Sequence, residues 1–287
     1  MQEPSVRTSR LAIAGGFAAI LVVGGGGFFL GRATAPAPQA PAPVVVPAPA
    51  PAPVPETPKD LGRGDLIALA QRAADAFASG EAMPAAVGEA AGRRFELLLP
   101  FGCGGASEAE SSLPMQWRYD KADATLRVSV KPMMWNRTDW NLGDGAKIDA
   151  AEGFWITRPW SSSGVCPVRA GQAFPRGVEP LTLPGQTLAI AQFFGSEADR
   201  DGRRNGRPFE TVTRVAADQF DGSRGFRLRV AGRIEAIAGN GPVRCVQPAG
   251  AEQRPICVIG ARIDTVRLEN PASEEVLATW TIGRSGQ

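Results

Sequence analysis

The chain has 287 residues, 44% of them hydrophobic and 21% charged, with a formal net charge of +2. That apolar content can build a packed core, and so low a net charge excludes a wholly disordered chain. Histidine is absent, which removes Ser-His-Asp and Cys-His catalysis, histidine metal sites and a histidine pH switch, and 31 basic against 29 acidic residues lack the excess of a nucleic-acid binder.

Residues 1–10, with Arg7 and Arg10, read as a cytoplasmic tail under the positive-inside rule. Residues 11–31 carry no charge. As a helix they would be about 31 Å long, matching a hydrocarbon core of about 30 Å. The segment therefore reads as a transmembrane anchor in the inner membrane. A cleaved signal peptide is the rival, because Ala33-Thr34-Ala35 forms an A-x-A box. The apolar run is longer than a signal core, and Pro36 would follow the cut, so the anchor is preferred. Gly27 and Gly31 form a G-x-x-x-G pair, a spacing that lets two anchor helices dimerise. Residues 32–60 are Pro/Ala-rich and read as a disordered linker, whose low-complexity part, Ala33 to Pro58, has polyproline II character and a reach of roughly 80 Å.

The remainder, residues 61–287, is expected to be an exported, periplasmic, disulfide-bonded domain. Asp65 to Ser79 has helical spacing, with Leu66, Leu69, Ala70, Ala73 and Phe77 on one face and Gly80 as its stop. Ala82 to Ala91 continues as a second short helix. The period then changes to two. Met115, Trp117 and Tyr119, then Leu126, Val128 and Val130, alternate with polar residues around the turn at 120–123, which predicts a hairpin. Phe226 to Ala236 is the longest predicted strand, and Val276 to Ile282 repeats its pattern. Shorter strands are expected at Phe95–Leu99, Phe154–Arg158, Thr187–Phe194, Phe209–Val215 and Ala261–Leu268. The sum is a mainly β fold: an antiparallel sandwich or barrel behind a short N-terminal helical element.

Four cysteines in an exported domain read as two disulfides. Cys245 and Cys257 flank a hairpin-like loop and are expected to pair, leaving Cys103 with Cys166. No C-x-x-C pair suggests zinc. Glu197 to Pro208 resembles a calcium loop in part, but Pro208 stands where the bidentate Glu belongs and four arginines compete for the carboxylates. No metal or cofactor is expected. Ser161, Ser162 and Ser163 have no histidine to activate them.

Five of the six tryptophans fall between Trp117 and Trp160, among Asp139, Asp144, Asp149 and Glu152. Trp135 to Gly145 is rich in turn formers and reads as a long loop, a frequent place for function. Trp135, Trp140, Asp139 and Asp144 are therefore the candidate binding residues, with both indoles expected on the surface. The function that follows is a membrane-anchored envelope module, non-enzymatic, binding an envelope protein or cell-wall glycan. The alternative is a cell-wall glycan hydrolase, since paired carboxylates cleave glycosidic bonds.

Overall fold

The computed structural model describes residues 59–143, 147–167, 186–195 and 203–282. The expected tail, anchor and linker up to residue 58 lie outside the described residues, as do Asp144 and the acidic stretch 197–201. Among the described residues, no helix is long and apolar enough to cross a membrane.

Helix α1 spans Arg63–Ser79, starting two residues before the expected Asp65. Asp65 still serves this end: its carboxylate accepts the Gly62 N–H at 2.9 Å, and a negative charge in the first turn complements the helix dipole. Leu66, Leu69, Ala70 and Ala73 are buried as their spacing requires. Phe77 is exposed, and Ala76 takes the buried place in the last turn. Gly80, at φ 68°, stops the helix in the left-handed region, where glycine carries no Cβ penalty. Helix α2, Ala85–Gly88, is a single turn.

Eleven strands among the described residues make the protein mainly β: β1 Arg94–Phe101, β2 Met115–Asp120, β3 Thr125–Val130, β4 Met133–Asn136, β5 Ala150–Trp155, β6 Leu188–Phe194, β7 Phe209–Arg214, β8 Phe226–Ile234, β9 Val243–Val246, β10 Ile256–Asn270 and β11 Glu275–Thr281. They form two sheets. The larger follows the path β1-β8-β10-β6-β5-β4, with β9 and β11 also paired to β10, and the smaller is β2-β3-β7. No closed barrel forms among the described residues.

Strand β10 is the spine. Up to Gly260 it pairs with β6 and β9; from Ala261 onward it pairs with β8 and β11. Its pairing with β6 is parallel, so the larger sheet is mixed and not the purely antiparallel one expected. Period-two alternation fixes which side chains share a face but carries no information on strand direction.

One face of the larger sheet shares a single core with the smaller sheet and α1. Phe95, Leu97 and Leu99 of β1, Phe226 and Leu228 of β8, and Val266 and Leu268 of β10 pack there with Val128 of β3 and Phe209 of β7. Ring contacts cross between the sheets, Trp117 to Phe226 at 5.2 Å and Phe154 to Phe209 at 6.1 Å. The opposite face has two characters. Around β4, β5 and β6 it carries a smaller apolar cluster with Trp135, Trp140, Ala151, Ala189 and Val258. Across β1, β8 and β10 it is polar and rich in arginine.

Two disulfides join Cys103 to Cys166 and Cys245 to Cys257. The second links directly opposed residues of β9 and β10, with Cα atoms 4.1 Å apart. Cys257 sends its N–H to Thr187 on its other side. The pair therefore occupies the close, non-hydrogen-bonded register of an antiparallel ladder. The first, with Cα atoms 5.4 Å apart, ties the loop after β1 to the loop after β5.

Candidate functional site

The expected tryptophan surface is not where the sequence places it. Residues 133–136 form edge strand β4 rather than loop, and Arg137–Trp140 form a 3-10 turn. That turn folds Trp140 onto the sheet. Trp140 is 2% exposed and Trp135 9%, which corrects the expectation that both indoles lie on the surface. They pack on each other at 5.6 Å and on half-buried Trp155 at 6.3 and 5.3 Å. Tryptophan fills this cluster because β5 and β6 contribute mostly small Ala151, Ala189 and Ala191 there, and large rings occupy the space small residues leave.

Asp139 and Glu152 do not converge. Asp139 is exposed, and its carboxylate accepts the Asn136 N–H at 2.7 Å, holding the start of the 3-10 turn. Glu152 lies on the opposite face: its neighbour Ala151 points into the tryptophan cluster, so Glu152 points to the side of Phe154 and Phe209, whose residues line the cavity it borders. There its Oε2 accepts the Arg204 N–H at 2.8 Å, Arg203 Nε is 3.9 Å from Oε1, and Oε1 has no hydrogen-bond partner among the described residues. The sheet thus separates Asp139 from Glu152, and the two cannot flank one scissile bond.

Trp160 is the indole the fold presents. It is 62% exposed, on the connection that leaves β5. That connection is braced from several directions. Arg63, at the start of α1, is buried and donates to the carbonyls of Leu98 and Ser161 at 3.1 and 2.9 Å, of Arg158 at 3.1 Å, and of Thr157. No carboxylate among the described residues pairs with it. Burial and the nearby Arg158 charge pull its pKa down to about 10, so it remains a cation at neutral pH. Arg158 itself adopts φ 51°, a left-handed conformation that costs a non-glycine residue free energy, and donates to Val165 O at 3.0 Å. The Cys103–Cys166 disulfide closes the connection at its far end.

Glycines let this loop lie flat on its neighbours. A Cβ at Gly164 would stand 2.7 Å from Leu98 Cδ1, so the loop passes directly over Leu98. Leu98 belongs to the polar face of β1, alternating with buried Leu97 and Leu99. The Trp160 loop therefore borders the arginine-rich face. The sequence names Trp160 only as the end of an aromatic stretch. It gives no signal for Arg63, whose partners lie 35 to 98 residues away.

A second concavity, about 340 Å³, lies between α1 and α2. Asp65, Glu89, Arg72 and Arg93 line it in balanced charge, so it selects no sign of ligand. No family model, curated protein or solved structure matches the chain.

Proposed function

We propose that the chain is a non-enzymatic binding module of the cell envelope, anchored in the inner membrane through residues 11–31 and carried on the 32–60 linker. Its periplasmic domain, which we read as an open two-sheet sandwich, contacts cell-wall glycan through Trp160. One observation carries the reading: a tryptophan 62% exposed on a loop that a buried arginine, a left-handed residue and a disulfide hold still. Preorganised aromatic groups lose little entropy on binding and supply large contact area, and indole faces stack on sugar rings. Two disulfides suit an oxidising compartment.

The test uses the full chain in detergent micelles, sedimented with purified insoluble cell-wall glycan. The wild-type chain is expected in the pellet. Trp160→Ala should reduce the bound fraction at least tenfold with an unchanged melting temperature, because an exposed ring contributes little to the core. Equal sedimentation of the two proteins would remove Trp160 from the site. Release of the chain from membranes by alkaline carbonate would remove the anchor.

A further inference from the structure

The solvent face of β1, β8 and β10 holds six arginines, Arg94, Arg227, Arg229, Arg233, Arg262 and Arg267, and three carboxylates, Glu96, Asp264 and Glu269, with Asp60, Glu235 and Glu274 reaching it from its margins. These carboxylates are consumed by four of the arginines and leave Arg233 and Arg267 without one. Glu269 is buried between Arg227 and Arg229, and Glu96 accepts from Arg229. The rest of the face is differently arranged. Arg94 lies opposite Arg233, and Arg233 opposite Arg262, so three cations stand in one row across three strands. Adjacent strands are only about 5 Å apart, and like charges in direct cross-strand register oppose sheet formation. Arg94 is relieved at the margin by Asp60 at 3.7 Å, and Arg262 by Asp264 at 3.2 Å and Glu235 at 3.8 Å. Arg233, at the centre, donates to the Gly92 carbonyl at 3.3 Å and has no carboxylate partner among the described residues. Exposed Arg267 has none either.

We infer that this face seats the anionic groups of an acidic glycan, its carboxylates or phosphates lying across Arg94, Arg233, Arg262 and Arg267 while a sugar ring stacks on Trp160. The inference rests on the binding role proposed for Trp160 and adds the chemistry of the ligand. Charge complementarity selects the sign: guanidinium forks match carboxylate and phosphate geometry. Continuity selects the sugar. The Trp160 loop lies on Leu98, which is opposite Arg229 in the sheet and four residues, about 13 Å, along β1 from Arg94. A polymer of a few sugar units can touch both. A bare polyanion would need the arginines but would gain nothing from a rigid exposed indole.

The full chain in nanodiscs of zwitterionic lipid is titrated with three probes: oligogalacturonate, the same oligomer fully methyl-esterified, and inorganic polyphosphate. Oligogalacturonate is expected to bind at least tenfold more tightly than its ester, and to weaken at least tenfold between 50 and 500 mM salt, on the order expected for release of several counterions. Arg233→Gln with Arg267→Gln should remove that advantage and leave binding of the ester unchanged. Trp160→Ala should weaken both oligomers and leave polyphosphate binding unchanged. Equal binding of acid and ester, with no effect of the arginine pair, overturns the anionic ligand while sparing the glycan reading. Polyphosphate bound as tightly as oligogalacturonate, with Trp160→Ala silent on every probe, overturns both. Failure of the wild-type chain to bind any probe also rejects the inference.

Discussion

Trp140 lets burial be measured apart from hydrogen bonding. The ring is 2% exposed, packed on Trp135 and Trp155, yet its Nε1 has no hydrogen-bond partner among the described residues. Truncation to Ala removes up to about 250 Å² of buried area, an upper limit of about 6 kcal/mol at 25 cal/mol per Å². Partial collapse of the site brings the expected loss to about 3–5 kcal/mol. Trp140→Phe keeps a ring against Trp135 and Trp155. It leaves a smaller gap, costing about 1–2 kcal/mol, but removes an unpaired buried N–H whose desolvation costs about 1–3 kcal/mol. The two contributions nearly cancel, so Phe should sit within about 1.5 kcal/mol of wild type. Urea unfolding followed by far-ultraviolet circular dichroism reads both variants, since the backbone signal does not depend on the indole removed. A Phe variant as unstable as the Ala variant would refute the reasoning, because packing would then not be what Trp140 contributes. An Ala variant of unchanged stability would return the indole to the surface.

Three further outcomes follow from the charged groups and the disulfides. Burial raises the Glu269 pKa, but hydrogen bonds from Arg229 and Arg227 and their charges outweigh it, and the net shift is downward. Stability from this group is therefore present above the ordinary carboxylate range and lost as pH falls through the lowered folded value; Glu269→Gln should be less stable than wild type at pH 7 and flatten the acid limb of a stability-versus-pH curve, and an unaltered limb would exclude the network. Arg63→Met should destabilise the chain by about 2–3 kcal/mol, since charged hydrogen bonds to four carbonyls are lost while a buried cation is relieved, and should speed backbone amide exchange across residues 157–165; unchanged exchange there would show that the loop holds without Arg63. On the chain-entropy model, removing Cys103–Cys166, with its sequence separation of 63, should cost about 4 kcal/mol, against about 3 for Cys245–Cys257 at separation 12, and the reverse order in denaturant titration would argue against loop length as the cause.

Faces were more legible than partners. The hairpin of β2 and β3 follows from alternation around Trp117 and Val128, which stand opposite each other in the ladder. The buried side of β8 is the alternating set Phe226, Leu228, Val230 and Ile234. The Cys245–Cys257 pairing follows from a short loop between two apolar ends, and the two residues are direct partners. Strand β10 is harder. Only its second half alternates cleanly, because Cys257 to Ala261 is buried on both faces and a doubly covered strand reads as a continuous apolar run. The parallel neighbour β6 lies far away in the chain, and nothing local in either segment specifies its direction. Val276, expected to face inward, is exposed; a register shift between Leu268 and Glu269 of β10 turns that end of β11, and a bulge is invisible to a period-two count.

The same limit explains the tryptophans. Whether an indole in a turn-rich segment is covered depends on what lies beneath it, and beneath Trp135 and Trp140 lie alanines of β5 and β6 that distant pairing brings together. Trp160 has the opposite fate because its loop is held along the edge of β1 instead of over a small-residue face. Holding it there carries a cost: the desolvation of Arg63, which has no carboxylate partner among the described residues, offsets part of what its four carbonyl hydrogen bonds contribute, and Arg158 is left-handed. Neither is needed to cover the core, which Phe95, Leu97 and Leu99 fill on the other face of that strand. Under the proposed binding role, a strained backbone fixed by a buried cation and ending in an exposed aromatic ring is accounted for by presentation of that ring. Under the proposed reading the arginine row follows the same logic: like charges held in register oppose the sheet that carries them, and an anionic partner would relieve them.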